Sequence, residues 1–180
     1  MAPPVNLRLY VTVTTWLQQL EKMDSFIIES QRLKPLILLT PQRMAMVPTT
    51  LKGRTNIPVG TRIAWAGPHH ALDPNVISNP TVFDPLRSYR RRHVDGGKDA
   101  NKYLAGQSDP DNMSFGYGGQ VCPGRYFAVC EIKLIIMRLI REFDFAMPDG
   151  AGVPRIIHVN ENVILDPGAK FMMRKRQVPT

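Results

Sequence analysis

Two cysteines in 180 residues are too few for a scaffold built on disulfides. Long apolar runs are missing as well. A membrane-spanning helix needs about 18 apolar residues, and the uncharged stretch from Leu9 to Leu20 is broken by three threonines and two glutamines. The N-terminus has neither the charged start nor the apolar middle of a signal peptide, and no repeat or low-complexity segment is present. Acidic residues are the minority, 15 against 23 lysines and arginines, which leaves a net charge of +8 and a pI near 9.8. Such an excess suits nucleic acid, a membrane surface or an acidic protein as partner. It is partly local, in Arg87, Arg90, Arg91, Arg92 and His93 and again in Arg174, Lys175 and Arg176. On its own, a run of this kind reads as a solvated surface.

What is present fits a globular chain, with 43% hydrophobic and 21% charged residues. The length suits one domain. Sixteen prolines and thirteen glycines mean that turns and loops take up much of it. From about Trp16 to Leu33, the residues Leu20, Met23, Ile27 and Ile28 recur at helical spacing, and Pro35 ends the pattern. Residues 41–66 alternate short β-prone stretches with Lys52-Gly53 and Pro58-Val59-Gly60, which predicts a small sheet with tight turns. Residues 73–122 read as one long irregular stretch, and a loop of that length inside a compact domain is usually functional. The clearest helix follows Gly124, with Ile132, Ile136, Leu139 and Phe143 on one side and Glu131, Arg138, Arg141 and Glu142 on the other. Ile156 to Val159 and Asn162 to Leu165 then read as a terminal hairpin.

The chemistry concentrates between Phe115 and Ala128. A glycine-rich turn delivers Cys122 to the start of the long helix, where unpaired amides and the positive end of the helix dipole favour an anion. A cysteine so placed serves as a nucleophile, as a metal ligand or as a small buried residue. Glycines before and after it let a flat ligand approach the backbone, and Phe115 offers an aromatic face. Cys130, eight residues further on, falls on the helix and reads as inert core. His69, His70, His93 and His158 have no zinc-ligand spacing with either cysteine.

Phe115, Gly118, Cys122 and Gly124 follow the pattern Phe-x-x-Gly-x-x-x-Cys-x-Gly, and here the sequence resembles the cytochromes P-450, the haem-thiolate monooxygenases. Two further matches lie upstream in the family's order. Glu29-Ser30-Gln31-Arg32 resembles the Glu-x-x-Arg helix motif, and Phe83-Asp84-Pro85-Leu86-Arg87 the segment that supplies a third charged residue. The resemblance runs from about Leu20 to Arg176 and is nearest to the fungal branch that contains ent-kaurene oxidases and other terpenoid oxidases. It implies a mainly α fold with small β-sheets, the C-terminal part of the P-450 fold. It also implies haem b with Cys122 as axial thiolate, a buried network of Glu29, Arg32 and Arg87, and propionate contacts from Gln120 and Arg43. Gln120 stands where the family usually has arginine or histidine, and Ser88 where it usually has an aromatic residue.

By the same resemblance, electrons come from NADPH through a cytochrome P-450 reductase, for whose acidic face Arg125 and Arg90 to Arg92 are expected contacts. The implied substrate is small and apolar, such as a terpenoid. Nucleic acid is not an expected partner, since no recognition motif accompanies the charge. The oxygen-activating helix of the family has no match before Glu29, and Ala105-Gly106-Gln107-Ser108-Asp109 resembles it only faintly and downstream. No catalytic residue is therefore assigned. The expectation is a single partial domain over 1–180, with 1–18 as an N-terminal remnant, from a parent held at the cytosolic face of the endoplasmic reticulum membrane. A haem-binding remnant without catalysis and a basic nucleic-acid-binding protein are the alternatives.

Overall fold

The computed structural model describes residues 16–94, 98 and 101–177. Most of the expected remnant 1–18 lies outside them. Helix α1, Glu21–Leu33, carries Glu21 and Asp24 in its first turn and Arg32 in its last, the charge order that its dipole favours. The predicted helix from Trp16 is split: residues 16–18 form a helical turn, and Leu20 bonds back to the Leu17 carbonyl before α1 begins. The break turns Leu17 inward, where it is 2% exposed.

The small sheet expected over 41–66 consists of two nested antiparallel pairs. Strand β1, Gln42–Met44, pairs with β4, Arg62–Ala64, and inside them β2, Thr49–Thr50, pairs with β3, Asn56–Ile57. The stretch 73–122 is less irregular than predicted. A short helix α2, Gly67–Ala71, precedes it, and within it Arg87–His93 form helix α3. A run of like charges conceals a helix from hydrophobic periodicity, yet α3 packs on α1, where Tyr89 donates its amide to Ser25 Oγ at 3.0 Å.

Helix α4, Arg125–Glu142, starts after Gly124 as predicted and ends one residue earlier than the apolar stripe suggested. Phe143 opens strand β5, Phe143–Ala146, which pairs with β8, Met172–Lys175. The hairpin of β6, Ile156–Val159, and β7, Asn162–Leu165, lies between them in sequence. Ile132, Ile136 and Leu139 of the stripe are half-buried, whereas the fully buried α4 positions are Val129 and Lys133. Val129 joins Ile27 of α1 and Ala105 in the core cluster, with Met23, Ile28, Phe115 and Ile132 packed around it. The centre of the fold is thus the junction of α1, α4 and the irregular segment between them.

Candidate functional site

The turn ahead of α4 is closed by the Cys122 amide, which donates to the Phe115 carbonyl at 2.9 Å. Gly116 and Gly118 take φ of +80° and +70°, in the left-handed region where a side chain would strain the backbone. Ser108 Oγ donates to the Gly116 carbonyl and ties the turn to the preceding segment. A short 3-10 turn, Gly118–Gln120, then leads into Cys122, whose side chain is exposed. A Cβ built on Gly118, Gly119 or Gly124 would meet nothing within 4 Å, so the cysteine stands on an open face lined by glycine backbone.

Phe115 is half-buried and packs against the core cluster, which anchors the turn to the core. Arg43, on β1, donates Nη2 to the Tyr117 carbonyl at 3.0 Å, so the structure brings it to the same turn. Gln120 is exposed at the end of the 3-10 turn. Cys130 is half-buried on α4 and, like Cys122, in no disulfide. Among the described residues, no three His, Cys, Asp or Glu side chains converge as a metal cluster would require. One soft sulfur donor on an open glycine face fits a flat group held by a single thiolate, as haem is in the thiolate-ligated enzymes.

Around Glu29 the charges are satisfied within the chain. Glu29 is 1% exposed and accepts from Arg32 through both carboxylate oxygens, at 2.7 and 2.9 Å. Its Oε1 also accepts from Arg87 Nε at 3.3 Å and from the Asp84 amide at 2.9 Å. Arg32 reaches the carbonyls of Ala71 and Pro80, and Arg87 those of Ser78 and Asn79. Burial pushes the Glu29 carboxyl up, but the Arg32 hydrogen bonds, the Asp84 amide and the charges of Arg32 and Arg87 outweigh it. The net result is a carboxyl held below its ordinary value. The network binds α1, α3 and the chain between α2 and α3 into one unit.

A second buried pair has no precedent in the sequence reading. Lys133 Nζ donates to Asp24 Oδ2 at 2.7 Å and to the Leu17 carbonyl at 2.9 Å, and Asp24 Oδ1 accepts the Ala105 amide at 3.2 Å. The available signal was a lone lysine four residues after Val129 and next to Ile132, on the apolar side of α4.

Of the arginines expected at a basic docking face, Arg90 and Arg91 are exposed and Arg92 and Arg125 are not. Arg92 is largely covered, its side chain 13% exposed, with Glu21 nearby. Arg90 pairs with Asp84, and Arg91 lies 4.8 Å from the Tyr103 ring centre. Arg125 is half-buried and bonded to backbone on two sides. The segment Ala105 to Asp109, compared above with the oxygen-activating helix, is an irregular stretch whose Ala105 is completely buried against α1 and α4.

Comparison with known proteins gives a consistent picture. The family model described as "Cytochrome P450" matches residues 14–173. The cytochrome P450 monooxygenase ATR4 of Stachybotrys chlorohalonatus is 47% identical over 159 residues, which cover 88% of this chain and 30% of that protein. The ent-kaurene oxidase P450-4 of Gibberella fujikuroi is 43% identical over 169 residues, 91% of this chain and 33% of that protein. Among solved structures, a zebrafish cytochrome P450 crystallised with abiraterone superposes with a TM-score of 0.63 at 25% identity, covering 97% of this chain and 36% of that one. The chain thus spans about a third of the length of the curated relatives it matches.

Proposed function

This chain belongs to the cytochrome P450 family, and we propose that it is the C-terminal, haem-binding part of a monooxygenase that inserts one atom of O2 into a small apolar substrate. The observation that carries the reading is Cys122, an exposed sulfur at the start of α4 on a face that glycines leave open. Cys122 would hold the haem iron through its thiolate, Gly118 and Gly124 would leave room for the flat group, and Phe115 would brace the turn. Arg43 and Gln120 would meet the propionates, a charged donor and a neutral one. Haem bound there would supply dioxygen activation, with electrons drawn from NADPH through a reductase.

The protein's own part is to hold that sulfur. A thiolate there would supply the electron-rich ligand that haem oxygen chemistry needs, and the amides opening α4 would temper the sulfur's charge. Glu29, Arg32 and Arg87 would fix the scaffold by tying α1 to α3 and the chain before it. Similarity to fungal oxidases, among them three named for ent-kaurene, supports a terpenoid or related secondary metabolite as substrate. A parent held at the endoplasmic reticulum membrane is part of the same proposal; among the described residues no helix is long and apolar enough to cross a membrane.

A further observation bears on the 180 residues alone. Phe127, Leu134, Ile135 and Ile140 of α4 are exposed. Water exclusion and a proton relay above the haem would fall to chain outside these residues, so the isolated chain is expected to hydroxylate nothing. The test of the whole reading is Cys122→Ser in the full-length parent. Loss of the red-shifted carbon monoxide band of the thiolate-ligated ferrous haem is expected. If the band survives that change but disappears in Cys130→Ser, the ligand assignment is wrong.

A further inference from the structure

The geometry points to Arg125 as the positioning residue of the Cys122 turn, a clamp that joins the cysteine's own carbonyl to the segment holding α1 and α4 together. Its bearing on iron ligation rests on the haem-thiolate reading above. Arg125 is the first residue of α4, and all three of its guanidinium nitrogens are engaged. Nη1 donates to the Cys122 carbonyl at 3.0 Å, Nε to the Gly106 carbonyl at 3.0 Å, and Nη2 to the Tyr126 hydroxyl at 3.2 Å. The guanidinium carbon lies 4.3 Å from the centre of the Tyr126 ring.

Gly106 is held in turn. A Cβ on it would stand 2.6 Å from Tyr126 Cδ1, so only glycine lets the ring and the backbone close on Arg125 from that side. Its neighbour Ala105 is completely buried and donates its amide to Asp24, and Asp24 pairs with Lys133 of α4. The bonds form a ring: from α4 at Lys133, through Asp24 and Ala105-Gly106, to Arg125 and Cys122, and so back to α4. Nothing in that ring needs a free charge at the surface. It needs a planar fork that serves two carbonyls and lies against a ring at once, which arginine supplies and a lysine ammonium on a flexible stem does not. Arg125 is therefore committed to the cysteine turn.

Hydrogen exchange on the haem-free 180-residue chain tests this without any activity. Arg125→Lys, Arg125→Gln and Gly106→Ala should each speed exchange across residues 115–124 about tenfold, the loss expected for hydrogen bonds from a charged donor. Exchange across the 156–165 hairpin should stay at its wild-type rate. Wild-type exchange at 115–124 in Arg125→Lys would mean that charge alone suffices and would overturn the clamp. Equal acceleration of turn and hairpin would overturn a local positioning role. In the full-length holoprotein, Arg125→Lys should retain haem but give a smaller share of the thiolate-type carbon monoxide band than wild type, and an unchanged share would also count against the clamp. A wild-type holoprotein lacking that band would sink the haem-thiolate reading and leave the exchange result to decide the clamp by itself.

Discussion

The Glu29 network and the Cys122 turn are built on opposite terms. Around Glu29, every charge meets a partner inside the chain: a carboxylate 1% exposed, two arginines and several backbone carbonyls. Around Cys122, glycines leave open space and the sulfur is exposed. Buried charge has to be satisfied locally, because an uncompensated charge in the interior costs several kcal/mol. A ligand site has to stay incomplete until its ligand arrives. The chain therefore completes its own scaffold and leaves its chemistry open to something outside it.

The most severe way to break the comparison is Glu29→Ala, which strands two arginines in the interior. A loss of about 3 to 5 kcal/mol is expected, read as a lower denaturant midpoint and poor soluble yield. Wild-type stability in that variant would make the network decorative. The same site predicts a pH response. The folded-state carboxyl lies below its unfolded value of 4.5, so its contribution is fully present above that value. It is lost as the pH falls from there through the folded value, and Glu29→Gln should flatten this acid limb in a titration followed by circular dichroism.

Lys133→Met alone leaves Asp24 buried without its cation, with a penalty of similar size or slightly less. The pair Asp24→Leu with Lys133→Met should recover much of it, since a well-packed apolar pair often replaces a buried ion pair at little cost. If the double variant is no better than the single one, the Ala105 bond to Asp24 matters more than the pairing. Cys122→Ser sharpens the contrast from the other side. In the haem-free chain an exposed side chain should change unfolding stability by no more than about 0.5 kcal/mol, even though the proposed haem ligand is lost. At the small end, Arg90→Ala removes an ion pair that is largely in solvent, and about 0 to 1 kcal/mol is expected. A larger loss would place Arg90 in the Glu29 unit through Asp84.

The features legible in the sequence were those whose signal is local. The pattern from Phe115 to Gly124 is read along ten consecutive residues, and the helix after it follows from apolar spacing. Glu29 and Arg32 share a face of α1 because they are three residues apart. Helix α3 was missed because four arginines and a histidine carry no apolar period, and the β5–β8 pairing because its strands are joined by a long excursion through another hairpin.

The sequence by itself determined the cysteine turn, the helix it opens and the motif pairing of Glu29 with Arg32, since each is set by neighbours along the backbone. Only the tertiary structure decided that Lys133 is a buried partner of Asp24 and that Arg125 turns to the Cys122 carbonyl. A charged residue on a helix reads as surface until the chain's path brings a buried carboxylate or carbonyl within reach. That path runs through the irregular segment around Ala105, where no periodicity records which way the backbone turns.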